Sequence, residues 1–230
     1  QEQAVNQLKK LQNPDGGWSW FKGMHSSQFM TTNILTILER SITVGDFQAN
    51  EAIKQMQIKA LRYLDKEIST DFKNNNISYN QLLYLYTRSF YRDIPLGDAL
   101  EAHKYYINLT RKKWAAFSLY EKAISAIALN NYGFKEEARN ILKSLRQYAV
   151  TTPEDGMYWP NNRNQYYRNS AVQIHTAIME AFILTEGNSA DVNLMKQWLL
   201  RQKQVQNWGS VPSTIDAIYT LLLTGNDLLT

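Results

Sequence analysis

The sequence predicts an all-α protein built as a ring of helical hairpins, an α/α toroid. Three observations predict it. Apolar residues recur with helical spacing along the chain, and no segment alternates as a half-buried strand would. One composite motif also returns: a polar helix end, Asp-Gly or Asn, a tryptophan, a loop and a new helix. LKKLQNPDGGWSWF, YAVTTPEDGMYWPNN and LLRQKQVQNWGSVPS are its clear copies.

Ile34, Leu35, Leu38 and Ile42 form the first apolar stripe, and Ile53, Met56, Ala60, Leu61 and Leu64 the second. The same i, i+3/i+4 spacing runs through 82–90, 124–129, 138–145, 172–184 and 215–222. Gly133, Gly187 and Gly225 fall just past apolar runs, where helices stop. Pro153, Pro160 and Pro212 fit turns or helix starts. The helices after the motif (FMTTNILTIL, SAVQIHTAIMEAFIL, STIDAIYTLLL) carry few charges, and NISYNQLLYLYTRSF and WAAFSLYEKAISAIAL are weaker counterparts. Between them, NEAIKQMQIKALRYLDKEI and FKEEARNILKSLRQYA have charged faces. Helices apolar all round belong inside and half-charged ones outside. The repeat spacing is roughly 40 to 53 residues, giving about ten helices in five hairpins. A closed ring of six hairpins would need one further pair, expected before Gln1.

The turns have a structural explanation. Gly16 and Gly17 suit a reversal with positive φ, and Asp15 can hydrogen-bond the turn backbone. Asp155-Gly156 and Trp208-Gly209 occupy the equivalent places. Thr31, Ser170 and Ser213 are candidate N-caps. Trp18, Trp159 and Trp208 are expected to plug the gaps between successive hairpins, with Trp20 part of the same aromatic turn.

Composition narrows the function. The 230 residues are expected to form one domain over 1–230, part of a larger multi-domain protein. Fourteen Tyr, 8 Phe and 6 Trp suit a packed core or a lined cavity. The net charge of +4 is small, and Arg111-Lys112-Lys113 is too short a basic run to predict nucleic-acid binding. No apolar run approaches the roughly 18 residues of a membrane span, so direct membrane insertion by this segment is not expected. The chain has no cysteine, which removes disulfides, Cys-zinc sites and a Cys nucleophile.

LKKLQNPDGGWSWFKGMHSSQFMTTNILTIL resembles the thioester-domain segment of bacterial alpha-2-macroglobulin-like proteins. RQKQVQNWGSVPSTIDAIYTLLL resembles that domain's closing repeat, and DGMYW fits between them. The resemblance implies an α-toroid within an extracytoplasmic protein, periplasmic or at the cell surface, that entraps proteases. Its partners would be sister domains of the parent chain and, through the parent, target proteases. The wider toroid class includes terpenoid cyclases and prenyltransferases. Thioester members carry Cys-x-Glu-Gln. Residues 1–230 lack any Cys and cannot form the thioester, as in the many bacterial relatives without one. In the family that motif lies early in the domain, so it could also precede Gln1.

No catalytic, metal or cofactor site is expected. His25, His103 and His175 form no i, i+4 pair and no HExxH set, and a lone helical His such as His175 reads as an interior hydrogen-bonded residue. Asp15, Asp155 and Asp216 occupy related repeat positions, with Glu180 one turn deeper. They would serve the competing function, a carbohydrate-active toroid using Asp or Glu near the DGGW end. A glycan- or lipid-binding toroid is the third. Asp216 is the oddest of these carboxylates, early in an apolar helix, where the dipole favours it. Motifs for cyclases, serine hydrolases and P-loops are missing. Tyr79, Tyr84, Tyr86 and Tyr91 read as core. The NNRNQYYRN loop, with Asn161, Arg163, Gln165, Tyr166, Tyr167 and Arg168, is the candidate interaction loop.

Overall fold

A computed structural model describes residues 2–45, 50–70, 72–73, 75–160, 170–206 and 208–225. The described chain is all-α apart from one small hairpin, and it divides into two compact units, Gln1–Lys112 and Lys113–Thr230.

The first unit contains α1 (Glu2–Leu11), α2 (Gln28–Val44), α3 (Glu51–Ile68), α4 (Tyr79–Arg88) and α5 (Leu100–Lys113). Helix α2 packs against both α3 and α4. Helix α4 is buried at every position from 82 to 88, whereas α3 buries one stripe, including Ile53, Met56, Ala60, Leu61, Leu64 and Asp65. The i, i+3/i+4 spacing dictates that stripe.

The second unit contains α6 (Leu119–Asn131), α7 (Lys135–Gln147), β1 (Val150–Thr152), β2 (Gly156–Tyr158), α8 (Ala171–Glu186), α9 (Ala190–Gln206) and α10 (Val211–Leu223). Helix α8 packs between α6 and α10, while α7 lies against α6 and α8. Positions 122–129 of α6 are all buried, but α7 buries only Ala138, Ile141, Leu142 and Leu145. Charge-poor and charge-faced helices thus differ in burial as their sequences predict.

Two local expectations change. β1 and β2 pair antiparallel, Val150 with Tyr158 and Thr152 with Gly156. Three residues per strand are too few for alternation to register in sequence. The N-caps also shift. Ser170 caps α8 by accepting from the Gln173 N–H, but Ser27, not Thr31, caps α2, and Ser210, not Ser213, caps α10. Both helices begin one turn or nearly so ahead of the expected hydroxyl. Thr31 instead receives the Trp18 N–H at 2.9 Å, and Ser213 hydrogen-bonds Ser170 and Ser210 side chains.

Candidate functional site

The first aromatic turn is built on Asn13 and Gly16. The N–H of Asn13 donates to the Gly17 carbonyl and that of Gly16 to the Asn13 carbonyl, each at 2.9 Å. Gly16 has φ +93, and a Cβ there would lie 2.3 Å from the Lys59 carbonyl oxygen of α3. Gly17 does not share the expected positive φ. Its lack of a side chain answers close approach instead, since a Cβ would sit 2.5 Å from Ser26 Cβ. Asp15 Oδ1 accepts from the Gly17 N–H at 3.0 Å and from Ser26 Oγ at 2.7 Å, so this exposed carboxylate holds its own turn together.

Trp18, 2% exposed, donates its indole N–H to the Leu8 carbonyl at 2.9 Å. Leu8 lies in the last turn of α1, where carbonyls lack intrahelical partners. In the second copy Trp159 is buried and donates to the Leu145 carbonyl in the last turn of α7, also at 2.9 Å. In the third, buried Trp208 donates to the Leu199 carbonyl of α9 at 3.0 Å. A buried indole needs such an acceptor, and each takes it from the helix preceding its turn.

Gly156 reproduces Gly16: φ is +72, and a Cβ would lie 2.2 Å from the Leu194 carbonyl of α9. In both copies the Asp-Gly glycine lets the turn touch the next charge-faced helix. Gly209 has φ +82, but a Cβ there would meet nothing within 4 Å. Asp155 Oδ1 pairs with Arg201 Nε at 3.0 Å. Gln197 Nε2 and Arg201 Nη1 donate to the carbonyls of Pro153 and Glu154, at 2.8 and 2.5 Å, so α9 grips the β1–β2 turn. Trp20 departs from the pattern: it is 57% exposed and stacks on Phe29, with centroids 5.8 Å apart.

Asp15 belongs to the first unit and Asp155 and Asp216 to the second. Within that second unit the two bind different elements. Asp155 meets α9, and Asp216 accepts from Gln173 Nε2 of α8 at 3.2 Å. Buried Glu180 accepts the Tyr219 hydroxyl at 3.2 Å. His25 is exposed. His175 is buried between rings, with Trp159 at 5.8 Å and Trp198 at 4.2 Å between centroids. Its Nε2–H donates to the Met195 carbonyl at 2.9 Å, while Nδ1 is buried without a hydrogen-bond partner. Burial pushes its pKa down to about 4, against the opposing effect of the Met195 bond. His175 is therefore a neutral interior histidine.

The first unit also contains a buried polar cluster that no sequence motif announces. Asp65 Oδ1 accepts the Tyr84 hydroxyl at 2.6 Å and Arg88 Nε at 3.2 Å. The Arg88 guanidinium also donates to the carbonyls of Tyr91 and of Ile94, the latter at 2.6 Å. Burial raises the Asp65 pKa, while Tyr84 and Arg88 pull it back. His103 packs edge-on to Tyr84, and burial, then the Arg88 charge, push its pKa down to about 4. One signal was legible: Asp65 falls on the apolar stripe of Leu61, Leu64 and Ile68, where a carboxylate needs a partner.

Among the described residues no group of three or more His, Cys, Asp or Glu could hold a metal ion. The interaction loop proposed from Asn161, Arg163, Gln165, Tyr166, Tyr167 and Arg168 lies outside the described residues. No family model matches the chain, and no curated protein matches it significantly.

Proposed function

We propose that this chain is a non-catalytic toroid domain of an alpha-2-macroglobulin-like protein, one that lacks the thioester and serves protease entrapment outside the cytoplasm. The observation that carries this proposal is the thrice-repeated turn, in which a buried indole is hydrogen-bonded to the preceding helix. Such turns tie each loop to the helix before it, a structural rather than a catalytic use of these residues. They also lie in the segments whose sequences resemble that family. The partners of Asp15 and Asp155 favour this role over acid–base chemistry on sugars, because both carboxylates are engaged in their turns.

With no Cys in the chain, its residues cannot capture a protease covalently through a thioester, so retention would be steric. The test mixes the intact parent protein with a broad-specificity protease. Activity is then assayed on a large protein and on a small peptide, with native and denaturing gels run in parallel. Entrapment predicts lost protein cleavage, retained peptide cleavage, comigration on the native gel and release under denaturation. Unprotected protein substrate with no comigration would reject the role.

A further inference from the structure

We infer that α10 is a docking face for helix α1 of a second copy of this chain, so that the protein associates head to tail. Val211, Ile215, Ile218 and Leu222 are 75%, 38%, 48% and 41% exposed. At 3.6 residues per turn they form one narrow stripe along α10. Asp216 is the only Asp, Glu, Lys or Arg of that helix, and it accepts from Gln173 of α8.

The neighbouring repeat shows what covers such a stripe. Ser170 meets Ser213 and Gln173 meets Asp216, so α8 and α10 run in the same direction at an offset of 43 residues. On α8 the positions matching Ile215, Ile218 and Leu222 are Val172, His175 and Met179, all buried. Helix α9 lies on that side, where His175 bonds the Met195 carbonyl and packs on Trp198. The occupant that fits α10 is therefore a charge-faced helix in the place that α9 takes on α8.

Helix α1 has the complementary open face. Leu8, Leu145 and Leu199 give their carbonyls to the three buried indoles, which aligns α1 with α7 and α9. Four residues earlier stand Ala4, Ile141 and Met195, and one residue earlier Gln7, Ser144 and Trp198. Ser144 meets Lys122 of α6, and Trp198 meets His175 of α8, in each case the charge-poor helix that comes before. Ile141 and Met195 are fully buried, whereas Ala4 and Gln7 are exposed. Among the described residues no charge-poor helix precedes α1 and no charge-faced helix follows α10. Lys9 and Lys10 sit about 120° or more around α1 from Ala4, off the contact. A second copy supplies the missing half to each face, setting Ala4 against Ile218 as Met195 is set against His175. One helix pair is a small interface, so micromolar or weaker affinity is expected. The inference stands independently of protease trapping.

Sedimentation velocity of the full chain from about 10 µM to about 1 mM brackets that affinity. Wild type is expected to form dimers or larger species as concentration rises. Ile218→Glu and Ala4→Glu each place a carboxylate in the contact and should weaken association about tenfold or more. Mixed in equal amounts, the two variants should pair one to one and go no further, since each pair retains a single intact α10–α1 contact. Both residues are exposed, so thermal midpoints should match wild type, and Leu222→Glu or Ala4→Lys replaces a variant that melts early. A wild type that stays monomeric throughout would overturn the inference. So would association that Ile218→Glu abolishes and Ala4→Glu leaves intact, because the stripe would then have an occupant other than α1.

Discussion

Gly16 and Gly156 meet two demands at once, a positive φ and a neighbouring helix carbonyl where a Cβ would be. Gly133 and Gly209 meet only the first, because nothing lies within 4 Å of a Cβ there. Alanine at 133 or 209 should therefore cost about 1 kcal/mol, and at 16 or 156 about 2 kcal/mol more, since backbone rather than a flexible side chain must move. Urea unfolding of the four variants checks this, and equal costs would remove the close-approach role. Ion pairs divide by burial. Arg88, 2% exposed, neutralises buried Asp65, and Arg88→Ala should cost about 3–5 kcal/mol by stranding that carboxylate. Arg201, whose pair with Asp155 is more than a third exposed on both sides, should cost under about 1 kcal/mol when replaced by Ala. The same unfolding series measures both.

At the scale of elements, burial follows composition. Helix α7 repeats charge through KEEARNILKSLRQ and buries one stripe, while α6 and α8 have few charges and are buried over long continuous runs. Periodicity made these helices legible, and the Asp-Gly-Trp spacing located the turns. Cap positions were less legible, because Ser27 and Thr31 are both hydroxyls one turn apart and only the backbone decides which accepts from the helix. The β1–β2 hairpin is too short to show a period. Asp65 and Arg88 come from different helices, and nothing local in either segment says that they meet. The role of Trp20 also escaped the sequence, since an exposed indole and a buried one two residues away look alike in a motif.

At the scale of the whole molecule, each unit contains one buried neutral histidine, His103 in the first and His175 in the second. Both have a folded pKa of about 4 against 6.5. Between those values the unfolded chain binds more protons than the folded one, so stability falls as the pH drops from about 6.5 towards 4. The slope is about 1.4 kcal/mol per pH unit for each histidine, on the order of 2–3 kcal/mol apiece over the window. Asp65 and Glu39 have raised pKa values, from burial first, and act in the opposite sense over the lower part of that range. His175→Gln isolates one contribution: its stability should depend on pH less steeply than wild type by about one proton's worth. Parallel pH profiles would show that His175 titrates normally.

The central structural claim is that Trp18, Trp159 and Trp208 are one device used three times, each buried indole N–H finding its acceptor in a carbonyl of the preceding helix. Phenylalanine keeps a ring but loses the N–H donor. The most direct measurement is urea unfolding of Trp18→Phe, Trp159→Phe, Trp208→Phe and Trp20→Phe, followed by far-UV circular dichroism. The first three should each lose about 2 kcal/mol, while exposed Trp20→Phe stays within about 0.5 kcal/mol of wild type. If the three buried tryptophans prove as replaceable as Trp20, the shared device is not what fixes these turns.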